Sequence, residues 1–185
     1  MRNPLLYANN IIRVAWLRVR NASRLQMGWI QTFDKLRLVI ERGGNVEIGS
    51  FNQNREKLYI GVGNYGNLKI GSHCFFNINS SITCMGDIEI GNNCKFGNNL
   101  VIVDHDHNYR ARGQYTSDNP EFISSPIKIG NNVWVGANVT ILRGTTIGDN
   151  CVIAAGSIVR GSVSKNTVYV QKRLSELRGV TFGNE

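Results

Sequence analysis

The sequence predicts an all-β core, a parallel β-helix of stacked triangular coils, with a helical segment in front of it and one long loop extruded from its middle. Three observations predict this. Aliphatic residues recur every sixth position over long stretches, glycine and asparagine recur at fixed offsets from them, and a single gap breaks the otherwise regular column.

The first element is the segment 1–42, which lacks the six-residue step. Leu5, Ala8, Ile12, Ala15, Trp16 and Val19 form an apolar stripe at helical spacing, while Arg13, Arg20 and Arg24 fall on another side. This reads as one or two amphipathic helices. The segment carries eight basic residues against Asp34 and Glu41, so +6 of the chain's formal +8 lies here. Two readings are open: a cap over the end of the solenoid, which stacked repeats need, or an arm making peripheral contact with an anionic membrane surface. Residues 43–185 are close to neutral, which argues against nucleic acid as a partner of the main body.

The second element, residues 43–173, is the repeat. Ile129, Val135, Ile141, Ile147, Ile153 and Val159 are six apart, and every one is β-branched. Glycine follows three of them, and Asn131 and Asp149 stand two residues on. Upstream, Ile70, Phe76, Ile82 and Ile88 keep the step, a shift of two occurs at Met85-Gly86-Asp87, and Ile90, Phe96 and Ile102 resume it; Val46, Ile48 and Ile60 mark degenerate coils. A period of six fits neither an amphipathic helix nor an alternating strand. It fits a short strand, a corner and a short strand again, three of which close a coil. Coils stacked about 4.8 Å apart pair each strand with the next. The aliphatic column fills the prism, and Gly and Asn supply corners where the backbone turns unusually. Cys74, Cys94 and Cys151 share a slot four residues after a column residue, as do Val133, Val139 and Thr145, so these thiols read as packing residues. The four cysteines form no C-x-x-C pair, against a zinc ribbon or a dithiol redox site.

The third element is the interruption. The column residue after Ile102 is Ile129, 27 positions later, so 21 residues beyond one repeat must leave the prism. The loop spans about 104–125 and is polar, with aromatics at Tyr109, Tyr115 and Phe122. Long loops on rigid solenoids tend to carry function. Its mouth holds His105 and His107, two of the three histidines, flanked by Asp104 and Asp106. A histidine there suits general-base work on a hydroxyl, since imidazole as a class titrates at about 6.5. Either aspartate could orient an imidazole or bond a hydroxyl, or both could be turn residues.

The stretch Ile129–Val159, IGNNVWVGANVTILRGTTIGDNCVIAAGSIV, closely resembles the hexapeptide-repeat acyltransferases, above all the maltose, galactoside and nodulation-type and the capsule or lipopolysaccharide O-acetyltransferases. The likeness covers about residues 46–173. It implies a left-handed helix, an exception to the usual crossover hand, and a homotrimer with active sites between subunits. It implies acetyl-CoA as acyl donor without a metal, and a sugar or polysaccharide unit as acceptor. The resemblance places the catalytic base five residues after a column residue, at His107, with His105 as the alternative. On the acceptor side it implies Asn77, Asp104, Asp106, Trp134 and the loop residue Tyr109. On the coenzyme side it implies Trp134, Ala137, Ala155, Lys172 and Arg173. Each has a plainer reading, as a corner asparagine for Asn77 or interface packing for Trp134. The tail 174–185 follows Val170-Gln171-Lys172-Arg173, where many sugar enzymes carry G-N-P-A; this ending is more like some capsule enzymes and leaves the nucleotide contacts open.

Two rivals stand beside this reading. One is a zinc hydratase like the γ-class carbonic anhydrases, which share the fold and use three histidines; the three here are His73, His105 and His107. The other is a β-helix that binds without catalysing. With no secretory or membrane-spanning stretch apparent in the sequence, the expected location is cytoplasmic, with membrane association through 1–42 as an option.

Overall fold

The computed structural model describes residues 4–108 and 122–172. The expected Tyr109 and Arg173, the tail 174–185 and the outer part of the loop lie outside these residues. Among the described residues three parallel sheets of seven, seven and six strands wrap a common core as a β-solenoid of about six turns. The first face runs from Leu25–Met27 to Ser162–Val163, the second from Gln31–Thr32 to Val168–Tyr169, the third from Leu36–Ile40 to Ile158–Val159. With its six-residue repeats and single N-terminal helix, this is the left-handed β-helix fold expected from the sequence.

The aliphatic column is the core. Ile129, Val135, Ile141, Ile147, Ile153 and Val159 are all between 0 and 2% exposed. Each column residue stands on the equivalent residue one coil away: Ile48 on Ile70, Ile70 on Ile90, Ile90 on Ile129, Ile129 on Ile147. Phe76 and Phe96 stack with centroids 4.8 Å apart and planes within 8°. The slot shared by the cysteines is also interior. Cys74, Cys94 and Cys151 are buried free thiols, and their sulfurs meet the carbonyls of Gly91, Gly130 and Ser164 in the following coil at 3.2, 3.2 and 3.0 Å. In the first coils Gln31 and Asn52 take that slot. Gln31 accepts from the Asn52 N–H and donates to the Gly49 carbonyl, while Asn52 accepts from the Cys74 N–H, so a polar column is satisfied within the core.

The corners carry the left-handed residues. Asn93, Asn132, Asn150 and Asn166 have positive φ at the first corner, Asn79, Asn99 and Asn138 at the second, and Gly144 and Gly161 at the third. The side chains form ladders: Asn79 donates to Asn99 and Asn99 to Asn138, and Asn132 to Asn150 and Asn150 to Asn166. Asn138 (φ 57°) accepts from Asn99 at 2.8 Å. Asn138→Ala therefore loses a ladder bond and places a Cβ-bearing residue without local support in the left-handed region. The expected cost is about 1–2 kcal/mol in a urea melt, with Asn138→Gly recovering part of it.

The structure departs from the sequence reading in three places. The β-helix begins at Leu25, inside the segment 1–42 that reads as helical; helix α1 covers Pro4–Asn21, and a 3-10 turn follows at Ala22–Arg24. Leu25-Gln26-Met27-Gly28 pairs with Val46-Glu47-Ile48 as a true coil edge, but its repeats lack the asparagine corners that make later coils recognisable. Second, the expected apolar stripe is not the packed face of α1. Asn10, Val14, Leu17 and Asn21 are buried against the first coil, whereas Ile12, Trp16 and Val19 are exposed. Third, the apparent shift at Met85-Gly86-Asp87 is a longer third side. Leu58–Val62 and Ser80–Cys84 have five residues where Thr140–Leu142 has three, so early coils step by about 20–22 residues and Ile88 and Ile90 both point inward.

Candidate active site

The third face ends at Val103, and the chain leaves the prism at the third corner. His105–His107 pairs antiparallel with Phe122–Ser124, and Ser125 returns the chain to the first face at Ile127–Ile129. The described ends of the segment expected to leave the prism over 104–125 thus pair as two short antiparallel strands. The stack continues across it, Ile102 pairing with Ile141 and Glu89 with Lys128.

Asp104 is the anchor of this hairpin. Its side chain is fully buried, and its two carboxylate oxygens accept the Met85 and Gly86 N–H groups of the preceding third corner at 2.8 Å each. Oδ1 also meets His105 Nδ1 at 3.0 Å. Burial alone would push this carboxyl up, but the His105 contact and the two N–H groups outweigh it and hold it below the usual aspartate value. The hairpin lies close to Gly86: a Cβ there would stand 3.0 Å from Ser124 Oγ and 3.1 Å from its Cβ, so Ser124 would have to give way by a few tenths of an ångström. On the other side the following coil clamps the hairpin. Arg143 Nε donates to Asp106 Oδ2 at 2.5 Å and its Nη1 to Ser125 Oγ at 3.3 Å, and the Gly144 N–H reaches the Ser125 carbonyl. Arg143 holds the Asp106 carboxyl below its ordinary value.

Alternation along the strand puts both imidazoles on one face and Asp106 on the other. The Phe122 ring lies against both, 4.9 Å from His105 edge-on and 4.8 Å from His107 at 47°. The His105 side chain is 12% exposed, whereas His107 is open to solvent. The result is a buried carboxylate, an imidazole tied to it, and a second, solvent-exposed imidazole on the same face. Arg143, Ser125 and Phe122 are parts of this arrangement that sequence reasoning missed. The only signal for Arg143 was a cation at the third corner of the coil directly after the loop.

The other expected site residues that the structure describes lie elsewhere on the chain. Asn77, Ala137 and Ala155 occupy the second corner, between the second and third faces. Asn77 Oδ1 accepts from the Ile78 N–H at 3.0 Å and its carbonyl from Ser80 Oγ, which is turn chemistry. Ala137 and Ala155 are stacked: a Cβ on Gly97 would come within 2.6 Å of Ala137 N, and one on Gly136 within 2.6 Å of Ala155 N. Trp134 projects from the second face, 58% exposed, above a shallow depression lined by His73, Asn93, Lys95 and Asn132. Lys172 is exposed after the last coil, where Gln171 Oε1 accepts from the Ile158 N–H. The chain thus gathers Asp104, His105, Asp106 and His107 at the third corner and leaves Trp134 and the two alanines on other sides. His73 stands at the first corner with φ 62°, stacked on Phe51 at 4.9 Å, away from the histidine pair.

Comparison with known proteins follows the same lines. Residues 126–161 match the bacterial transferase hexapeptide model of six repeats, and residues 67–103 match the hexapeptide repeat of succinyl-transferase. The chain is 41% identical over 107 residues to a galactoside O-acetyltransferase of Escherichia coli, covering 56% of this chain and 50% of that one. It is 38% identical over 93 residues to a putative lipopolysaccharide biosynthesis O-acetyl transferase of the same organism, covering 47% of each. The chain therefore spans about half the length of the curated relatives it matches. In fold it is similar to an N-acyltransferase from Bacillus cereus solved with dTDP and coenzyme A, with a TM-score of 0.67 over 88% of this chain and 87% of that one at 15% identity. The chain thus carries the hexapeptide repeats of bacterial transferases on a β-helix, and the sequence relatives it matches over about half their length are named as acetyltransferases.

Proposed function

We propose that this chain is an acetyl-CoA-dependent O-acetyltransferase acting on a hydroxyl of a sugar or polysaccharide unit. The observation that carries the reading is an open imidazole, His107, on a hairpin clamped from the coil on either side, next to an imidazole already tied to a buried carboxylate. His107 takes the proton of the acceptor hydroxyl as its oxygen attacks the thioester carbonyl, and the proton then passes to the departing coenzyme A thiolate. Attack creates a tetrahedral oxyanion that fixed N–H donors can stabilise. Transfer is direct, within a ternary complex. Asp104 and His105 position the strand that carries the base, while Asp106, held by Arg143, and Tyr109 belong to the acceptor side. The names of the sequence relatives support both an acetyl donor and a hydroxyl acceptor.

Trp134, Asn77, Ala137, Ala155, Lys172 and Arg173 join this site in a homotrimer, in which the second face of one copy lies beside the hairpin of its neighbour. Exposed Trp134 and Val168 on the second face and Val101 and Ile158 on the third are the kind of outward apolar residues that such lateral packing covers. The enzyme works in the cytoplasm, where activated sugars and acetyl-CoA meet. A second reading makes His105 the base, favoured by its 3.0 Å contact with Asp104, which would fix the tautomer that accepts a proton at Nε2. The test is release of free thiol from acetyl-CoA with a panel of sugars, activated sugars and oligosaccharides. Acceptor-dependent release with an alkali-labile acetyl ester in the product is expected; release of no thiol with any acceptor would overturn the reading, and an alkali-stable amide product would reassign it to nitrogen.

A further inference from the structure

Helix α1 has two stripes of identical spacing, one buried and one exposed. Asn10, Val14, Leu17 and Asn21 are buried. Ala8, Ile12, Ala15 and Val19 each stand two positions before one of them. At about 100° per residue, two positions are about 200°, so this second stripe is diametrically opposite the first. It has no polar member. Ile12 is 69% and Val19 81% exposed, with Trp16 beside them at 55%. An amphipathic helix that only caps a core has a polar outer face; here the outer stripe is apolar and the inner one holds the asparagines.

The direction of the exposed stripe is set by what the buried one does. Val14 and Leu17 enter the core cluster with Leu25, Met27 and Phe33 of the first coil. Asn10 Oδ1 accepts the Phe33 N–H at 2.9 Å, and Arg13 donates to the Phe33 carbonyl at 3.1 Å. Strands Leu25–Met27 and Gln31–Thr32 are the edges of their sheets, so α1 closes the end of the prism. The outer stripe accordingly looks along the prism axis, away from the coils. Side-by-side packing of β-helices leaves it uncovered.

The flanks of the stripe are basic. Arg18 lies on one side, its guanidinium 4.3 Å above the Trp29 ring, and Arg20 on the other, 5.0 Å from the Trp16 ring. Two such faces brought together would oppose arginine to arginine. A planar anionic surface satisfies all of it at once: apolar side chains enter the acyl boundary, indoles sit at the headgroup level, and arginines reach lipid phosphates. We infer that α1 docks the end of the prism on an anionic lipid surface through Ile12, Trp16 and Val19, with Arg18 and Arg20 as headgroup contacts. No helix among the described residues is long and apolar enough to cross a membrane, so the helix would lie in the plane of the interface.

The experiment is flotation of the full chain with vesicles of phosphatidylcholine alone and of equal parts phosphatidylcholine and phosphatidylglycerol. The wild type should float with the anionic vesicles, fail with the neutral ones and be released by high salt. Ile12→Glu/Val19→Glu should cut the bound fraction about tenfold or more. Arg18→Glu/Arg20→Glu should cut it at least as far, at about fivefold for each arginine lost. Ile12→Glu/Val19→Glu should keep the wild-type melting temperature and gel-filtration volume, since both side chains are exposed; the arginine pair, which also gives up its contacts with Trp29 and Trp16, should stay folded at the wild-type gel-filtration volume and is an independent test if the first variant does not fold. Wild type that stays at the bottom of the gradient, or a folded Ile12→Glu/Val19→Glu that floats as before, overturns the inference. A folded Ile12→Glu/Val19→Glu of smaller oligomeric size would also overturn it, because another copy of the chain would then be what covers this face.

Discussion

His107→Ala is expected to lower kcat for acetyl transfer by about 10²–10⁴-fold while leaving KM for acetyl-CoA nearly unchanged, the loss typical of a missing general base. The expectation rests on exposure and on placement. His107 is open, and Phe122 braces its ring on one side. Asp104 is committed to His105 and to two backbone groups. The companion variant His105→Ala separates the two imidazoles. If His105 only positions the strand, its loss should cost about tenfold and raise KM for the acceptor as well, and His105→Asn, which can still donate to Asp104, should recover most of the activity. If His105 were the base, both His105 variants would be as inactive as His107→Ala was expected to be, and His107→Ala would stay active. Steady-state rates for the four proteins, each checked for an unchanged melting temperature, decide the assignment.

Asp104→Ala is expected to destabilise the protein by about 3–5 kcal/mol, because it strands two backbone donors and an imidazole that now share one buried carboxylate. For a chain of this size each kcal/mol is worth about 2–4 °C, so the melting temperature should fall by roughly 10 °C. Asp104→Asn nearly conserves shape yet should rescue little. Oδ1 and Oδ2 each accept an N–H, and an amide would turn an NH2 toward one of those donors. The pH dependence has a definite sign. The folded-state value of this carboxyl is depressed, so its stabilisation is in force above the ordinary carboxylate value of about 3.9 and is lost as pH falls through the lower folded value. The gap in melting temperature between wild type and Asp104→Asn should therefore be full near neutrality and close only in strong acid. A gap that stayed constant down to acid would remove the charged hydrogen bonds from the account.

Much of this was legible in the residues, and the boundary is physical. The column from Ile129 to Val159 announced the prism because burial inside it demands an apolar residue at every sixth place, and asparagine is among the few side-chain-bearing residues at ease with the corner geometry. The loop bounds were legible for the same reason: the column stops and restarts. The first two coils were hidden because their buried polar slots hold Gln31 and Asn52, and Lys35 in the first and Phe51 in the second take left-handed corner conformations, so neither the apolar nor the asparagine signal was present there. The packed face of α1 was missed because Asn10 and Asn21 sit on it. Asn10 is buried to bond the Phe33 backbone and Asn21 to bond the Leu17 carbonyl, and neither partner is visible in a helical wheel. Histidines at the loop mouth could be picked out by type, but the Asp104 clamp could not, because its partners are main-chain groups about twenty positions away.

The seam at the hairpin has one more implication. Ile90 stands on Ile129 and Ile102 on Ile141 as though the residues between Asp104 and Ser125 did not exist. Among the described residues the excursion is tied to the stack at Met85 and Gly86 on one side and at Arg143 and Gly144 on the other. The segment can thus lengthen, shorten or be exchanged for another without refolding the body that supports it. Substrate preference would then diverge by grafting at a single socket, while the spring that carries it is inherited whole.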